Sequence, residues 1–185
     1  MSGITIKDAT PADAGFIART VLCAMGLAGY DEDHTCIKDF EEVCSLPDTL
    51  YSYRNARIAF DGDEPVGCLV SYSGDFYNEF RDSTWDNLFT ATGFHLPEDP
   101  EAEAGPGEFY LDSLAVVPEY RGHEIGKQLL LDGIEKGRRE GFRVIGLIVD
   151  KEHPRVQAYY ATLGFVPDGE MMFFGEPYTR MKLKI

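Results

Sequence analysis

The chain has 185 residues, with 17 Lys or Arg against 32 Asp or Glu, so its formal net charge is −15. This length predicts one domain, and a hydrophobic content of 44% is sufficient for a core, which excludes global disorder. The acidic surplus argues against binding to nucleic acid or to an anionic membrane, because both require a basic protein surface.

The first 72 residues predict three strands and two helices. Thr10 and Pro11 predict the start of a helix, because threonine caps helices and proline suits the first helical position. An acidic turn at residues 61–64 predicts a hairpin. The predicted elements, in order, are a strand at 4–9, a helix from Thr10 to about 24, a helix at 33–45, and strands at 57–60 and 65–72.

Two unusual segments follow. Residues 75–92 are rich in aromatic side chains and are predicted to be partly helical. Residues 95–107 contain three prolines and four acids, which predicts a mobile loop within the domain with almost nothing to bury. Together they form an acidic, aromatic-containing insertion at about 75–107.

The later part of the chain alternates strands and helices. Residues 144–149 are almost all apolar, which predicts a strand buried on both faces. The other predicted elements are a strand at 108–117, helices at 123–140 and 153–163, and closing strands at 165–166, 171–174 and 179–185. This order indicates an α/β or α+β fold with some parallel pairing.

Residues 111–130 carry the strongest chemical signal. A strand ends in a turn, and a glycine-containing loop then leads into a helix. Amide groups at a helix start have no partner within the helix, so with the helix dipole they attract phosphate. Gly122 and Gly126 allow close approach, and Arg121 and Lys127 add positive charge. An ordinary strand–turn–helix with no ligand remains an alternative.

The sequence LAVVPEYRGHEIGKQLL (114–130) resembles the coenzyme-binding core of the GNAT superfamily of acyl-CoA N-acyltransferases. The sequence AYYATLGF (158–165) is similar to the second motif of that family. The resemblance implies one N-acetyltransferase domain over residues 1–185. It also implies a mixed, mostly antiparallel sheet of about seven strands, flanked by about four helices, with a splay between the fourth and fifth strands.

The resemblance further implies that acetyl-CoA is the co-substrate. No metal is expected, because the four histidines His34, His95, His123 and His153 are isolated in the sequence. Main-chain groups of 114–116 would align the thioester, and amides of 122–127 would hold the pyrophosphate. The residues assigned to the coenzyme are Leu114, Ala115, Val116, Arg121, Gly122, His123, Glu124, Ile125, Gly126, Lys127 and His153. Two depart from the family pattern: Glu124 replaces a loop glycine, and His153 replaces a frequent asparagine.

The expected reaction moves the acetyl group directly to a primary amine, without a covalent enzyme intermediate. Asp112 is the candidate general base, and Glu108, four residues earlier, is the second candidate. Tyr160 matches the family tyrosine that protonates the departing thiolate, whereas its neighbour Tyr159 is expected to lie in the core. Purely structural roles for Asp112 and Tyr160 remain alternatives.

The acceptor site is less clearly specified. The family builds it from the loop between its first two helices and from its closing hairpin, which implicates Asp31 and Tyr178. Acidic and aromatic side chains suit a cationic amine, either a small molecule or a peptide. The insertion at 75–107 is open to three interpretations: a lid, a wall of the acceptor site, or a homodimer contact.

Two other functions are consistent with the sequence, namely a non-catalytic acyl-CoA-binding or sensing module and a protein-interaction domain. No secretory signal is recognised at the N-terminus, and no apolar run is long enough to cross a membrane. The four cysteines form no CxxC pair. We therefore expect a cytoplasmic protein with reduced thiols.

Overall fold

The computed structural model describes residues 3–29, 36–92 and 101–185, without the side chains of 89–92. Within these ranges, seven strands form one sheet in the order β1-β2-β3-β4-β5-β7-β6, and all neighbouring pairs are antiparallel except β4 and β5. The strands are β1 Ile4–Asp8, β2 Ala56–Asp61, β3 Glu64–Ser73, β4 Phe109–Val116, β5 Val144–Asp150, β6 Val166–Phe173 and β7 Glu176–Lys184. The predicted fold class is confirmed.

Five α-helices accompany the sheet in the described ranges: α1 Ala14–Ala24, α2 Ile37–Ser45, α3 Tyr77–Thr92, α4 Ile125–Arg139 and α5 Pro154–Thr162. The predicted start of the second helix at 33 lies outside the described residues. Helix α3 is continuous, where only partial helix was expected. None of the helices in the described segments is long and apolar enough to cross a membrane.

The sheet has a hydrophobic core on each face. Tyr110 of β4 belongs to the core that includes α1 and α2, whereas its neighbours Phe109 and Leu111 belong to the core that includes α4. This alternation follows from the two-residue period of a strand. Strand β5 is buried as predicted, since Ile145, Gly146 and Leu147 are all buried.

Strands β4 and β5 separate soon after they meet. They pair only at Phe109–Ile145 and Tyr110–Gly146. Strand β4 also contains an extra residue relative to β3, because Leu69 lies opposite Leu114 while Ser71 lies opposite Leu111. A β-bulge of this kind bends the strand that carries it. The predicted splay between the fourth and fifth strands is therefore present, and it starts after Tyr110.

The described end of the insertion, residues 101–107, is packed against the sheet. Glu103 is 9% exposed and Ala104 is 3% exposed. Arg180 of β7 donates hydrogen bonds to the carbonyl oxygens of Ala102 (3.1 Å) and Glu103 (2.8 Å). The expectation that this segment buries almost nothing is wrong for its described part, because composition alone does not show that a strand side chain anchors it.

Candidate active site

A cleft of about 350 Å³ lies between the end of β4 and the start of α4. Its lining includes seven of the residues predicted to bind coenzyme: Val116, Arg121, Gly122, Glu124, Ile125, Gly126 and Lys127. Tyr120 and Tyr159 complete it. We call this space the coenzyme cleft, because it coincides with the predicted phosphate loop.

The loop offers several amide groups to the coenzyme cleft. In helix α4 the amide of Gln128 bonds to the carbonyl of Glu124 at 3.0 Å, so the amides of Ile125, Gly126 and Lys127 precede the internal ladder of the helix. Gly122 has φ +79°, and a Cβ there would meet no atom within 4 Å. Open space beside amides at the positive end of a helix fits a pyrophosphate group.

Glu124 is the departure from the family pattern that the structure explains best. Its backbone is left-handed, with φ 59° and ψ 12°, which is a conformation natural to glycine and costly for other residues. Its exposed carboxylate lies 3.1 Å from the Lys127 ammonium. Glu124 thus lines the cleft and engages one of the two cations expected to face the phosphates.

The other four predicted coenzyme residues do not line this cleft. Leu114 and Ala115 pair with β3, and they lie where β4 has no bonds to β5. His123 Nδ1 lies 3.3 Å from the Tyr120 carbonyl oxygen. His153 precedes α5, and its Nδ1 lies 3.2 Å from a carboxylate oxygen of Asp150.

A second, smaller cavity of about 110 Å³ spans the splay. Strand β4 contributes Asp112 and Ser113, β5 contributes Ile148, and β7 contributes Tyr178. The bulge explains why two consecutive β4 side chains share this cavity, since a regular strand would send them to opposite faces. The rest of its lining is Ala24, Met25, Tyr51, Glu103, Tyr110 and Phe173. We call it the carboxylate cavity.

Asp112 is held firmly in the carboxylate cavity. The Tyr72 hydroxyl donates to Asp112 Oδ2 at 2.5 Å, and the Ser113 hydroxyl donates to Oδ1 at 2.6 Å. Burial raises the pKa of Asp112 above its ordinary value, although these two hydrogen bonds oppose the shift. A carboxylate with a raised pKa accepts a proton more readily, which suits the predicted general base.

Glu103 is a second carboxylate in this cavity, and the sequence reasoning missed it. It accepts hydrogen bonds from the hydroxyls of Tyr77 (3.3 Å) and Tyr110 (3.0 Å). Burial and the nearby charge of Asp112 raise the pKa of Glu103 to about 8. No motif marks this residue, because it is one of several acids in a loop without hydrophobic periodicity.

Glu108, the second predicted base, lies outside the carboxylate cavity. It is 5% exposed and accepts a hydrogen bond from the Gly105 amide at 2.6 Å. Its carboxylate also lies 3.4 Å from the Lys182 ammonium and 3.8 Å from the Arg180 guanidinium. These contacts tie the insertion to β7, so of the two predicted bases only Asp112 lines the cavity.

The two neighbouring tyrosines of α5 have different surroundings. Tyr160 is half-buried with its ring edge-on to Phe165, centroids 5.8 Å apart, and burial raises its pKa to about 12. Tyr159 is 38% exposed and lines the coenzyme cleft. The expectation that Tyr159 lies in the core is wrong, because helical spacing does not fix which side of α5 the sheet covers.

The predicted acceptor residues are only partly described. Asp31 lies outside the described residues. Tyr178 lines the carboxylate cavity, with its ring perpendicular to that of Phe173 at 5.8 Å between centroids. Among the described residues, no group of His, Cys, Asp or Glu side chains is arranged to hold a metal ion.

Comparison with known proteins places this geometry in a family. Residues 28–165 match the acetyltransferase (GNAT) family. A crystal structure of an acetyltransferase is similar with a TM-score of 0.80 and 26% identity, covering 98% of this chain and 99% of the other. An N-acetyltransferase from Staphylococcus aureus Mu50 gives a TM-score of 0.78 at 22% identity, covering 97% of this chain and 100% of the other.

A curated relative is similar over a shorter stretch. The mycothiol acetyltransferase of Propionibacterium freudenreichii subsp. shermanii is 32% identical over 110 residues, which is 59% of this chain. The matched region covers 30% of that relative, so this chain spans less than a third of the length of the larger protein.

Proposed function

Because this chain belongs to the acetyltransferase (GNAT) family, we propose that it transfers an acetyl group from acetyl-CoA directly to a primary amine. One observation carries this proposal: the coenzyme cleft and the carboxylate cavity are both built on β4. Val116 lines the first and Ser113 lines the second. Three strand residues span about 10 Å, a short distance for a reaction between groups held in the two spaces.

Acetyl-CoA supplies an activated thioester carbonyl when it is bound. The amides of Ile125, Gly126 and Lys127 would hold its pyrophosphate, with Arg121 adding positive charge. Main-chain groups of residues 114–116 that face the splay would pair with the extended arm of the coenzyme. These groups otherwise lack a partner strand on that side, so binding satisfies their hydrogen-bonding capacity.

The amine must lose a proton before it can attack. A lysine-like amine has a pKa near 10.4, so deprotonation at neutral pH costs roughly 5 kcal/mol. Asp112 receives this proton, because it lines the acceptor side of the splay and burial raises its pKa. Tyr160 then donates a proton to the departing thiolate, and its raised pKa keeps the phenol protonated at neutral pH.

The proposal is tested first on the wild-type protein. Acetyl-CoA should raise the melting temperature, and a panel of primary amines should give acetyl-CoA-dependent release of free thiol. Stabilisation without thiol release for any amine would contradict the proposed transfer and favour a non-catalytic acyl-CoA-binding module. No stabilisation at millimolar acetyl-CoA would contradict coenzyme binding itself.

The role of the tyrosine is tested by comparing Tyr160→Phe with Tyr159→Phe. Loss of the general acid should lower turnover by roughly 100-fold in Tyr160→Phe, with coenzyme affinity nearly unchanged. Tyr159→Phe is the matched control for turnover, since it removes a hydroxyl one residue away; because Tyr159 lines the coenzyme cleft, any effect of this change should fall on coenzyme affinity. Normal turnover in Tyr160→Phe, or loss in Tyr159→Phe alone, would refute the assignment of the acid.

The role of the base is tested with Asp112→Asn across a range of pH. The variant should lose most activity at low pH, where the amine is almost fully protonated, and should recover partly at high pH. At high pH the solution itself contains more of the unprotonated amine, so the reaction depends less on a protein base. A constant ratio of wild-type to variant rates across this range would remove Asp112 as the base.

A further inference from the structure

The carboxylate cavity contains features that select an acceptor. Building on the proposed function, we propose that Glu103 and Asp112 together form an ammonium subsite for a compact primary alkylamine that carries no carboxylate beside its amino group. Asp112 keeps the role of base, and Glu103 is a specificity-determining residue. The insertion thus supplies part of the acceptor site.

The two carboxylates reach the same cavity from different segments. Glu103 comes from the insertion and Asp112 from the bulge of β4. An ionised carboxylate can accept about four hydrogen bonds. Hydroxyl donors occupy two positions on Glu103, from Tyr77 and Tyr110, and two on Asp112. Each carboxylate therefore keeps acceptor capacity for an ammonium group, which has three donors when primary.

The remaining walls also favour a cation. Aromatic rings of Tyr51, Tyr110, Phe173 and Tyr178 line the cavity, and ring faces attract positive charge. Its described lining contains no Lys or Arg side chain. The nearby guanidinium of Arg180 is directed instead to main-chain carbonyl oxygens of the insertion.

The size and charge of the cavity limit what the amino group can carry. The cavity has a volume of about 110 Å³. This is the volume of roughly four water molecules, each of which occupies about 30 Å³ in the liquid. A carboxylate beside the amino group would lie close to Glu103 and Asp112, where like charges repel. α-Amino acids are therefore disfavoured by charge, and the bulky N-terminus of a peptide by size.

The charge state of Glu103 should appear in the Michaelis constant for the amine. The charged or titratable side chains that face Glu103 are Tyr77, Tyr110, Asp112 and Arg180, with Tyr51, Tyr72 and Tyr178 further away. Burial raises the pKa of Glu103 to about 8. The KM for an alkylamine should fall as pH rises through that value, because the ionised form binds the cation.

The test uses the full chain saturated with acetyl-CoA and three probes: propylamine, glycine and a tripeptide amide. The wild-type kcat/KM for propylamine should exceed the values for the other two by about tenfold or more. Above pH 8, where Glu103 is ionised, Glu103→Gln should raise the KM for propylamine by about tenfold while kcat changes little, and the fall of KM around that pH should disappear. Glu42→Gln, an exposed change on α2, should match wild type.

The possible failures are distinguishable. A preference for glycine or the tripeptide amide over propylamine would overturn the subsite while leaving acetyl transfer intact, and this comparison needs no variant. An unchanged KM above pH 8 in a folded Glu103→Gln protein would also overturn it. If propylamine stabilises the CoA-bound protein thermally but releases no thiol, the subsite stands and the proposed transfer fails. If it neither stabilises the protein nor reacts, the subsite falls.

Discussion

Replacing Glu103 by Gln should flatten the pH dependence of stability between about pH 5 and pH 8. Burial and the charge of Asp112 raise the pKa of Glu103 from its ordinary value of 4.5 to about 8. Between these two values the folded protein keeps a proton that the unfolded chain has released. The free energy of unfolding therefore falls as pH rises through this window, because ionisation favours the unfolded state.

The size of this effect follows from the two pKa values. They differ by about 3.5 pH units, and each unit corresponds to about 1.4 kcal/mol, so Glu103 costs the folded state about 5 kcal/mol above pH 8. Gln occupies nearly the same volume, and the tyrosine hydroxyls can either donate to its amide or accept from it. The variant should thus keep the local packing while losing the titration.

The measurement is urea unfolding of wild type, Glu103→Gln and the control Glu42→Gln at several pH values between 5 and 8. As pH rises, the free energy of unfolding of Glu103→Gln minus that of wild type should increase by up to about 1.4 kcal/mol for each pH unit. The control should run parallel to wild type. Parallel curves for all three proteins would show that Glu103 is not held protonated in the folded state.

Substitutions at three further positions have defined outcomes. Glu124→Gly should stabilise the fold by up to about 1 kcal/mol, because glycine adopts the left-handed backbone without strain. It should also tighten acetyl-CoA binding a few-fold, because Lys127 loses its ion pair with the carboxylate. Glu124→Gln should tighten binding in the same way without stabilising the fold. Gly137→Ala should lower the free energy of unfolding, measured in urea, by about 1–3 kcal/mol, because its Cβ would lie 2.7 Å from Ile145 Cδ1 and 2.9 Å from Phe109 Cδ1 in the core. Arg180→Met should lower kcat/KM for the amine about tenfold, because the insertion loses both hydrogen bonds that hold its main chain. Acetyl-CoA should still raise the melting temperature of this variant. Normal amine kinetics would contradict the prediction.

Local patterns in the sequence determined the order of elements and the family. The segment from Leu114 to Leu130 combines a strand, a turn, a glycine-containing loop and a helix start, and each is recognisable from a few adjacent residues. The helix predicted from Thr10 begins in the structure as a 3-10 turn at Pro11–Asp13 that leads into α1, and Asp13 accepts hydrogen bonds from the amide and hydroxyl of Thr10, both at 2.8 Å. The predicted bounds of β5 differ from the structure by one residue.

Only the tertiary structure decided what faces the acceptor side. The bulge in β4 depends on the register with β3, so the sharing of one cavity by Asp112 and Ser113 cannot be read from β4 alone. Glu103 belongs to the site because Arg180, 77 residues away, binds its main chain. The physical reason is common to both: helices and turns follow from neighbours in sequence, whereas a cavity depends on contacts between segments far apart in the chain.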